Sequence, residues 1–364
     1  MKFYFSLKKI TIIENIKTDY IIVGQGITGT LLAHALLEKG KTVQIYDNNY
    51  FGSSSKVAAG IINPVTGRRI VKGWLIDELI PVAKTVYERL GKLLGQKFYH
   101  QKNVLRVLFS IKEENLWLEK TGDALVEKYV LESNDYGLFK NKITEGEALG
   151  EVQYSAQIDM PLLLEKSKEY FSNKKLMNVE LFDYEQVRLG DEQVFYKNVE
   201  AIKIIFCEGH QGRKNPWFGN LPFEVAKGEV LLVKIPNAHF DKILKHKLFI
   251  VPLQNDIYWI GSTYEWNDLD ELPTEEKKQL LIKRLDKFLT IPYEIVDHQA
   301  AIRPSTFDRR PMLGLHPDHD CLGIVNGMGT KGASLAPYFV NQFVDFLLEE
   351  KLINEDATIE RFVK

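Results

Sequence analysis

Gly24-Gln25-Gly26-Ile27-Thr28-Gly29 and Asp47 are the residues of this 364-residue chain whose types and spacing point most directly to chemistry. In such a turn the first glycine permits a tight bend, the second lets backbone approach a pyrophosphate, and the third lets helix and strand pack closely. Asp47 lies 18 residues past Gly29, where a carboxylate can accept both hydroxyls of a ribose. A carboxylate there disfavours a 2′-phosphate, so NADP is the poorest match among dinucleotides. The plain alternative, a glycine turn with a surface aspartate, lacks the flanking strand and helix that this sequence has.

The fingerprint alone does not separate FAD from NAD. Two further stretches bear on the choice. Ser53-Ser54-Ser55-Lys56-Val57-Ala58-Ala59-Gly60-Ile61-Ile62-Asn63-Pro64 is a run of small residues that lets backbone approach a flat ring and supplies hydroxyl and amide donors. Ile324 through Ser334 repeats the strand, glycine loop and helix arrangement, and its helix N-terminus would offer N–H groups to an electron-rich ring edge, as flavin enzymes do.

These motifs need elements to hold them. Tyr20 to Val23 is a β-branched apolar run expected as a strand buried on both faces, followed by a helix over Ile27 to Lys39 that ends at Gly40 and a strand over Lys41 to Asp47. Further helices are expected over Trp74 to Leu94, from a cap at Asp159 to about Phe171, over Glu271 to Leu289 and over Ser334 to Leu352, with a strand over Ala201 to Phe206. Between Phe223 and Gly261 the pattern is antiparallel: Glu229 to Ile235, Lys247 to Leu253 and Ile257 to Thr263, with Asn255-Asp256 as a hairpin turn. The two textures alternate along the chain. The expected fold is α/β, with a Rossmann-like nucleotide-binding domain (17–85, 150–215 and 298–364) interleaved with an α+β antiparallel-sheet substrate domain (86–149 and 216–297).

Composition is that of an ordinary globular chain, with 45% hydrophobic and 26% charged residues. Its net charge of −2 argues against a protein that holds nucleic acid by whole-surface charge. Cys207 and Cys321 lie far apart without metal-ligand spacing, so neither a disulfide framework nor a zinc site is suggested. His298, His316 and His319 cluster only loosely, and a metal role is not favoured. Met1 to Leu7, Lys8-Lys9 and Ile10 to Ile16, broken by Glu14, lack a cleavable-leader pattern, and no stretch reaches a spanning length, so a cytoplasmic protein without a membrane span is expected.

In four ordered landmarks the chain resembles the FAD-dependent D-amino-acid oxidase family, which includes glycine oxidase, sarcosine oxidase and D-amino-acid dehydrogenase. These are Val23 to Gly29 with Asp47, Ser53 to Pro64, Ala301-Ile302-Arg303-Pro304 through Gly314, and Gly327 to Pro337. The resemblance implies non-covalent FAD, since the members with covalent FAD carry a cysteine close to the Arg-Pro pair and this chain has Ser305. It implies FAD contacts at Gly24, Gly26, Ile27, Thr28, Gly29, Asp47, Asn48, Ser54, Ser55, Ala59, Gly60 and Ile61. Further contacts fall on Val187, Gly209, Gly327, Met328, Gly329, Thr330, Lys331, Gly332 and Ala333.

For the substrate, the resemblance implies that Arg303 clamps a carboxylate, a task that suits guanidinium geometry. Thr330 and Phe249 join it in positioning. Three departures stand out: Glu208 replaces a small polar residue, Trp259 stands where some members carry an oxygen-activating lysine, and Thr330 stands where some carry a second arginine. The implied activity is oxidation of a C–N bond of an amine or amino acid (a D-amino acid, glycine or an N-substituted glycine) by hydride transfer to flavin N5. Whether oxygen or another acceptor takes the electrons stays open, as does the oligomeric state. Two alternatives also stay open: oxidation of a carboxymethylaminomethyl uridine in tRNA, with the Arg68-Arg69-Ile70-Val71-Lys72 patch as its basic contact, and flavin binding without turnover.

Overall fold

The local pattern around the glycine turn sets the first unit. Strand Ile16–Val23 runs into helix Ile27–Glu38 and on to strand Val43–Tyr46, which lies parallel to the first with Tyr20 opposite Val43 and Val23 opposite Tyr46. The strand begins four residues earlier than its apolar run because Ile16, Lys17 and Thr18 extend the pairing to Val199, Glu200 and Ala201. Helix Ile27–Glu38 is buried almost all round. Leu31, Leu32 and Leu36 are each at most 2% exposed, and each contributes about 2 kcal/mol by burial. Gly40 closes the unit at φ +73°. The computed structural model describes residues 15–50, 52–133, 135–191 and 193–362. The amino-terminal reading therefore lies largely outside the described residues.

The first sheet orders its strands Met177–Asn178, Val43–Tyr46, Ile16–Val23 and Val199–Phe206, with Leu322–Asn326 parallel to the far side of Val199–Phe206. Val194–Tyr196 and Val187–Leu189 extend it antiparallel. Helix Met160–Asn173 starts where Asp159 accepts the Leu162 N–H at 3.2 Å, with proline in its first turn. The carboxyl-terminal helix is Gly332–Glu349 and packs on Ile27–Glu38.

The second sheet runs Glu294–Arg303, Ala226–Lys234, Ile257–Gly261, Phe249–Pro252, Ile243–Lys245, Val104–Leu108, Ala148–Val152 and Val130–Ser133. Every neighbour pair is antiparallel except Ile243–Lys245 with Val104–Leu108. The chain thus enters this sheet twice and leaves it between, and Glu294–Arg303 crosses position 298. Asn255 and Asp256 both take positive φ between the hairpin strands, +58° and +57°. One face buries Leu231, Val233, Leu244, Ile250 and Ile260 against Leu281 and Leu285 of helix Glu275–Asp286. That helix is shorter than its charged pattern suggests, because Thr274 caps it by accepting the Lys277 N–H. The other face of the sheet looks toward the first sheet. Among the described residues no helix is long and apolar enough to cross a membrane.

Candidate functional site

A cavity of about 2550 Å³ lies between the carboxyl ends of the parallel strands and the open face of the second sheet. In open α/β sheets this is where ligands bind, beyond the strand ends. Three loops meet there: Gly24–Gly26, Cys207–Gly209 and Gly327–Lys331. Cys207 N–H donates to Val23 O at 2.7 Å and Asn326 Nδ2 donates to Gly209 O at 2.9 Å, so the loops are tied to one another.

The nucleotide end is built by close backbone approach. A Cβ on Gly24 would fall 2.5 Å from Cys207 O, and one on Gly29 only 1.9 Å from Gly24 O. Helix Ile27–Glu38 has Gly26 at its N-cap, with no side-chain cap and no acidic residue in its first turn. Its open N–H end therefore favours an anion. Ser55 Oγ takes the Ile27 N–H at 3.1 Å and brings the Ser53-to-Pro64 segment onto the turn. Asp47 accepts the Gln25 N–H at 2.7 Å through Oδ2 and the Asn49 N–H at 2.6 Å through Oδ1, which fixes the carboxylate at the cavity wall. This cradle fits a dinucleotide pyrophosphate and ribose.

The ring end uses the other two stretches. Gly60, at φ +70°, crosses Ile158 so closely that a Cβ would lie 2.0 Å from its carbonyl oxygen. Trp259 Nε1 donates to Val57 O at 2.8 Å and pins this segment to the second sheet. Helix Gly332–Glu349 also begins without a side-chain cap or an acidic first turn. Its Gly332 and Ala333 line the cavity beside Met328, Gly329, Thr330 and Lys331. Two helix ends whose N-cap residues offer no capping side chain, with a glycine-lined slot between them, suit an anionic chain joined to a flat ring system, so the residues present fit FAD.

Arg303 is set into the cavity floor. A Cβ on Gly228 would lie 1.9 Å from its Nη2. Nη1 donates to Lys227 O at 3.1 Å, and Nη2 donates to Ser262 Oγ at 2.7 Å and to Thr263 O at 3.0 Å. The Tyr264 ring lies 4.1 Å from the guanidinium carbon. Among the described residues, Nε–H and one Nη1–H are left for a ligand. Thr330, exposed at the wall, makes no hydrogen bond to Arg303 among the described residues, and Phe249 lines the cavity from the second sheet.

Of the residues expected from sequence to contact FAD or substrate, all but Gly29 and Val187 line the cavity. Gly29 lies beneath the turn, against Gly24. Val187 starts a strand at the sheet's edge, and Leu181 to Tyr184 line the wall near it instead. Glu208 also lines the cavity, where Tyr184 Oη donates to it at 2.5 Å and Asn215 Nδ2 at 2.9 Å. Burial raises its carboxyl to about 7, against the opposing pull of these two hydrogen bonds. Cys207 is buried at the nucleotide end with its thiol pushed up by burial, while Cys321 packs in the core near Leu322. His298 pairs with Glu229 at 2.9 Å on the far face of the sheet, whereas His316 and His319 stack on each other at 5.0 Å. Among the described residues no group of three or more His, Cys, Asp or Glu could hold a metal ion.

The sequence profile of the family described as FAD dependent oxidoreductase matches residues 19–339. Glycine oxidase of Bacillus subtilis (strain 168) is 23% identical over 93% of this chain and 95% of its own. The crystal structure of glycine oxidase from Geobacillus kaustophilus superposes with a TM-score of 0.75 at 20% identity, covering 93% of this chain and 96% of that one. A bifunctional protein of tRNA 5-methylaminomethyl-2-thiouridine biosynthesis from Marinobacter nauticus is 21% identical over 91% of this chain, which spans 55% of that protein. The structural likeness shows a shared fold.

Proposed function

Because the chain belongs to the FAD dependent oxidoreductase family, we propose that it oxidises the C–N bond of a small amino acid or N-substituted glycine, with FAD held non-covalently. The observation that carries this reading is the Arg303 guanidinium. It is fixed by three hydrogen bonds in the floor of a cavity whose opposite wall is the nucleotide cradle. Bound FAD supplies the two-electron acceptor for the C–H bond next to nitrogen.

The chain's own residues do the rest. Arg303 holds the substrate carboxylate by its charge and by one of its free N–H groups, its Nη2 being committed to Ser262 and Thr263. Phe249, Trp259 and Tyr264 wall the site, limiting water and fixing which face of the substrate meets the ring. Thr330 offers one hydroxyl in place of a second cation. Trp259 presents no cation to the ring, which favours an acceptor other than oxygen. A cytoplasmic location agrees with this reading.

The test is spectroscopic. FAD-loaded protein, kept anaerobic, is mixed with glycine, N-methylglycine, D-alanine, D-proline, D-aspartate, D-glutamate and iminodiacetate. Bleaching of the flavin band by at least one supports the reading, and no bleaching by any favours flavin binding without turnover.

A tRNA substrate is the second reading. One observation favours it: Arg68, Arg69 and Lys72, the last paired with Asp77, are among the residues that line the cavity. Its test is a tRNA gel shift whose affinity falls steeply with salt, and no shift at low salt removes it.

A further inference from the structure

The second sheet carries two cations on its cavity face that the site described above does not use. Directly opposed residues across neighbouring strands share a face. Val230 lies opposite Gly261, Gly261 opposite Phe249, Phe249 opposite Lys245 and Lys245 opposite Arg106. All five form one row on the cavity side, since their neighbours Leu231, Ile260, Ile250, Leu244 and Leu105 belong to the core behind the sheet. Gly261 has no side chain, and the Trp259 ring fills its place in the row, 2.5 Å from where a Cβ would stand. Lys245 Nζ leans over the Phe249 ring, 3.9 Å from its centre, and Arg106 lies 5.8 Å from the Trp117 ring.

Neither cation forms an ion pair among the described residues. Arg106 donates to Gly67 O at a long 3.4 Å. Glu113 lies close enough to act on Arg106 by charge without pairing with it, and its Oε2 accepts the Phe109 N–H at 2.8 Å. Arg284 adds a third positive charge. Burial first, and then Arg106 and Arg284, push the Lys245 ammonium down to about 8. Lys245, Arg106 and Arg284 outnumber that one carboxylate, and a half-buried cation without an ion pair is costly, a cost that an anion placed between Lys245 and Arg106 lowers. Each cation rests near an aromatic ring, and neither ring supplies the full negative charge that an anion would.

We propose that Arg106 and Lys245 form a second anion subsite in the substrate cavity, so that the substrate is an amino acid or N-substituted glycine bearing a further carboxylate or phosphate. This rests on the reading of Arg303 as the holder of the first carboxylate. The spacing follows from the sheet. Arg303 lies on Gly228, two residues along the strand from Val230, and Lys245 Nζ lies over a strand two away, which puts the cations about 12 Å apart. Allowing a contact of about 2.8 Å at each end leaves roughly 6 Å between the two anionic groups.

The test is calorimetric and needs no turnover. FAD-loaded protein at low salt is titrated with valerate, glutarate and 3-phosphonopropionate, all inert to oxidation. Glutarate or phosphonopropionate should bind at least tenfold more tightly than valerate, and the tighter of the two identifies a carboxylate or a phosphate as the second group. In the Lys245→Met/Arg106→Met double variant the ratio should collapse to near one, while Lys245→Arg keeps it. Equal affinities in the wild type, or a ratio that survives the double variant, would overturn the proposal. If the double variant does not fold, Lys245→Gln is judged by the same ratio. Failure of the oxidoreductase reading looks different: no flavin bleaching with any substrate, whatever the binding ratios are.

Discussion

The guanidinium of Arg303 rests on the bare backbone of Gly228, so close that a Cβ there would meet Nη2 at 1.9 Å. The two residues are diagonal neighbours on paired strands, since Gly228 lies opposite Ala301 and Arg303 opposite Ala226. The absence of a side chain at 228 is what lets the arginine lie flat and keep its hydrogen bonds to Lys227 O, Ser262 and Thr263. Gly228→Ala should therefore displace Arg303 without touching it. Loss of a charge-assisted clamp is worth about 1.5–3 kcal/mol, so KM for a carboxylate substrate should rise roughly 10- to 150-fold. Steady-state kinetics and FAD titration check this, with FAD affinity expected to change less than about twofold.

Glu208 gives a prediction in pH. With its carboxyl at about 7 in the folded chain and near about 4.3 in the unfolded one, the folded state holds a proton that the unfolded state has released. Its stability contribution is full below about pH 4 and is lost as pH rises through 7. The unfolding free energy of the wild type minus that of Glu208→Gln should fall by about 2–3 kcal/mol between pH 5 and pH 8, measured by urea denaturation. Taking the difference cancels the other titrating groups. A flat difference would show that Glu208 is ionised throughout.

Trp259 is a strut as well as a wall. Its indole N–H donates to the Val57 carbonyl across the cleft between the two sheets, and Trp259→Phe leaves that carbonyl without its partner. The expected cost is about 1–3 kcal/mol of stability. The Ser53-to-Pro64 segment should loosen with it, so FAD affinity should drop about tenfold, read by quenching of flavin fluorescence on binding.

Much of the nucleotide end was legible in the sequence because its determinants are local. The apolar run, the glycines at fixed offsets and Asp47 all fall within one βαβ unit, and the structure places them together. Asp159 as a cap and Asn255-Asp256 as a turn were legible for the same reason. The substrate face was not. Strand Ile243–Lys245 is three residues long and pairs with Val104–Leu108, so no local pattern marks it. The adjacency of Lys245 and Arg106 exists only through that long-range register. Lys227 and Glu229 break the rule that inward positions are apolar, because Asp268, Asp270, Thr274 and His298 satisfy them from distant segments. Leu181 to Tyr184 carry no motif, and only the packing of the first sheet brings them to the cavity wall.

In the proposed function Arg303 holds the carboxylate of a substrate that reduces the bound flavin. Anaerobic stopped-flow reduction of FAD-loaded wild type and Arg303→Met, across a panel of amino acids and their amides, tests it most directly. Expected are saturable bleaching of the wild type by at least one carboxylate substrate, weak bleaching by its amide, and an apparent Kd about 100-fold higher in Arg303→Met, in line with loss of a charge-assisted pair. Bleaching that is equally fast and equally tight in Arg303→Met, or that does not distinguish acid from amide, would contradict it.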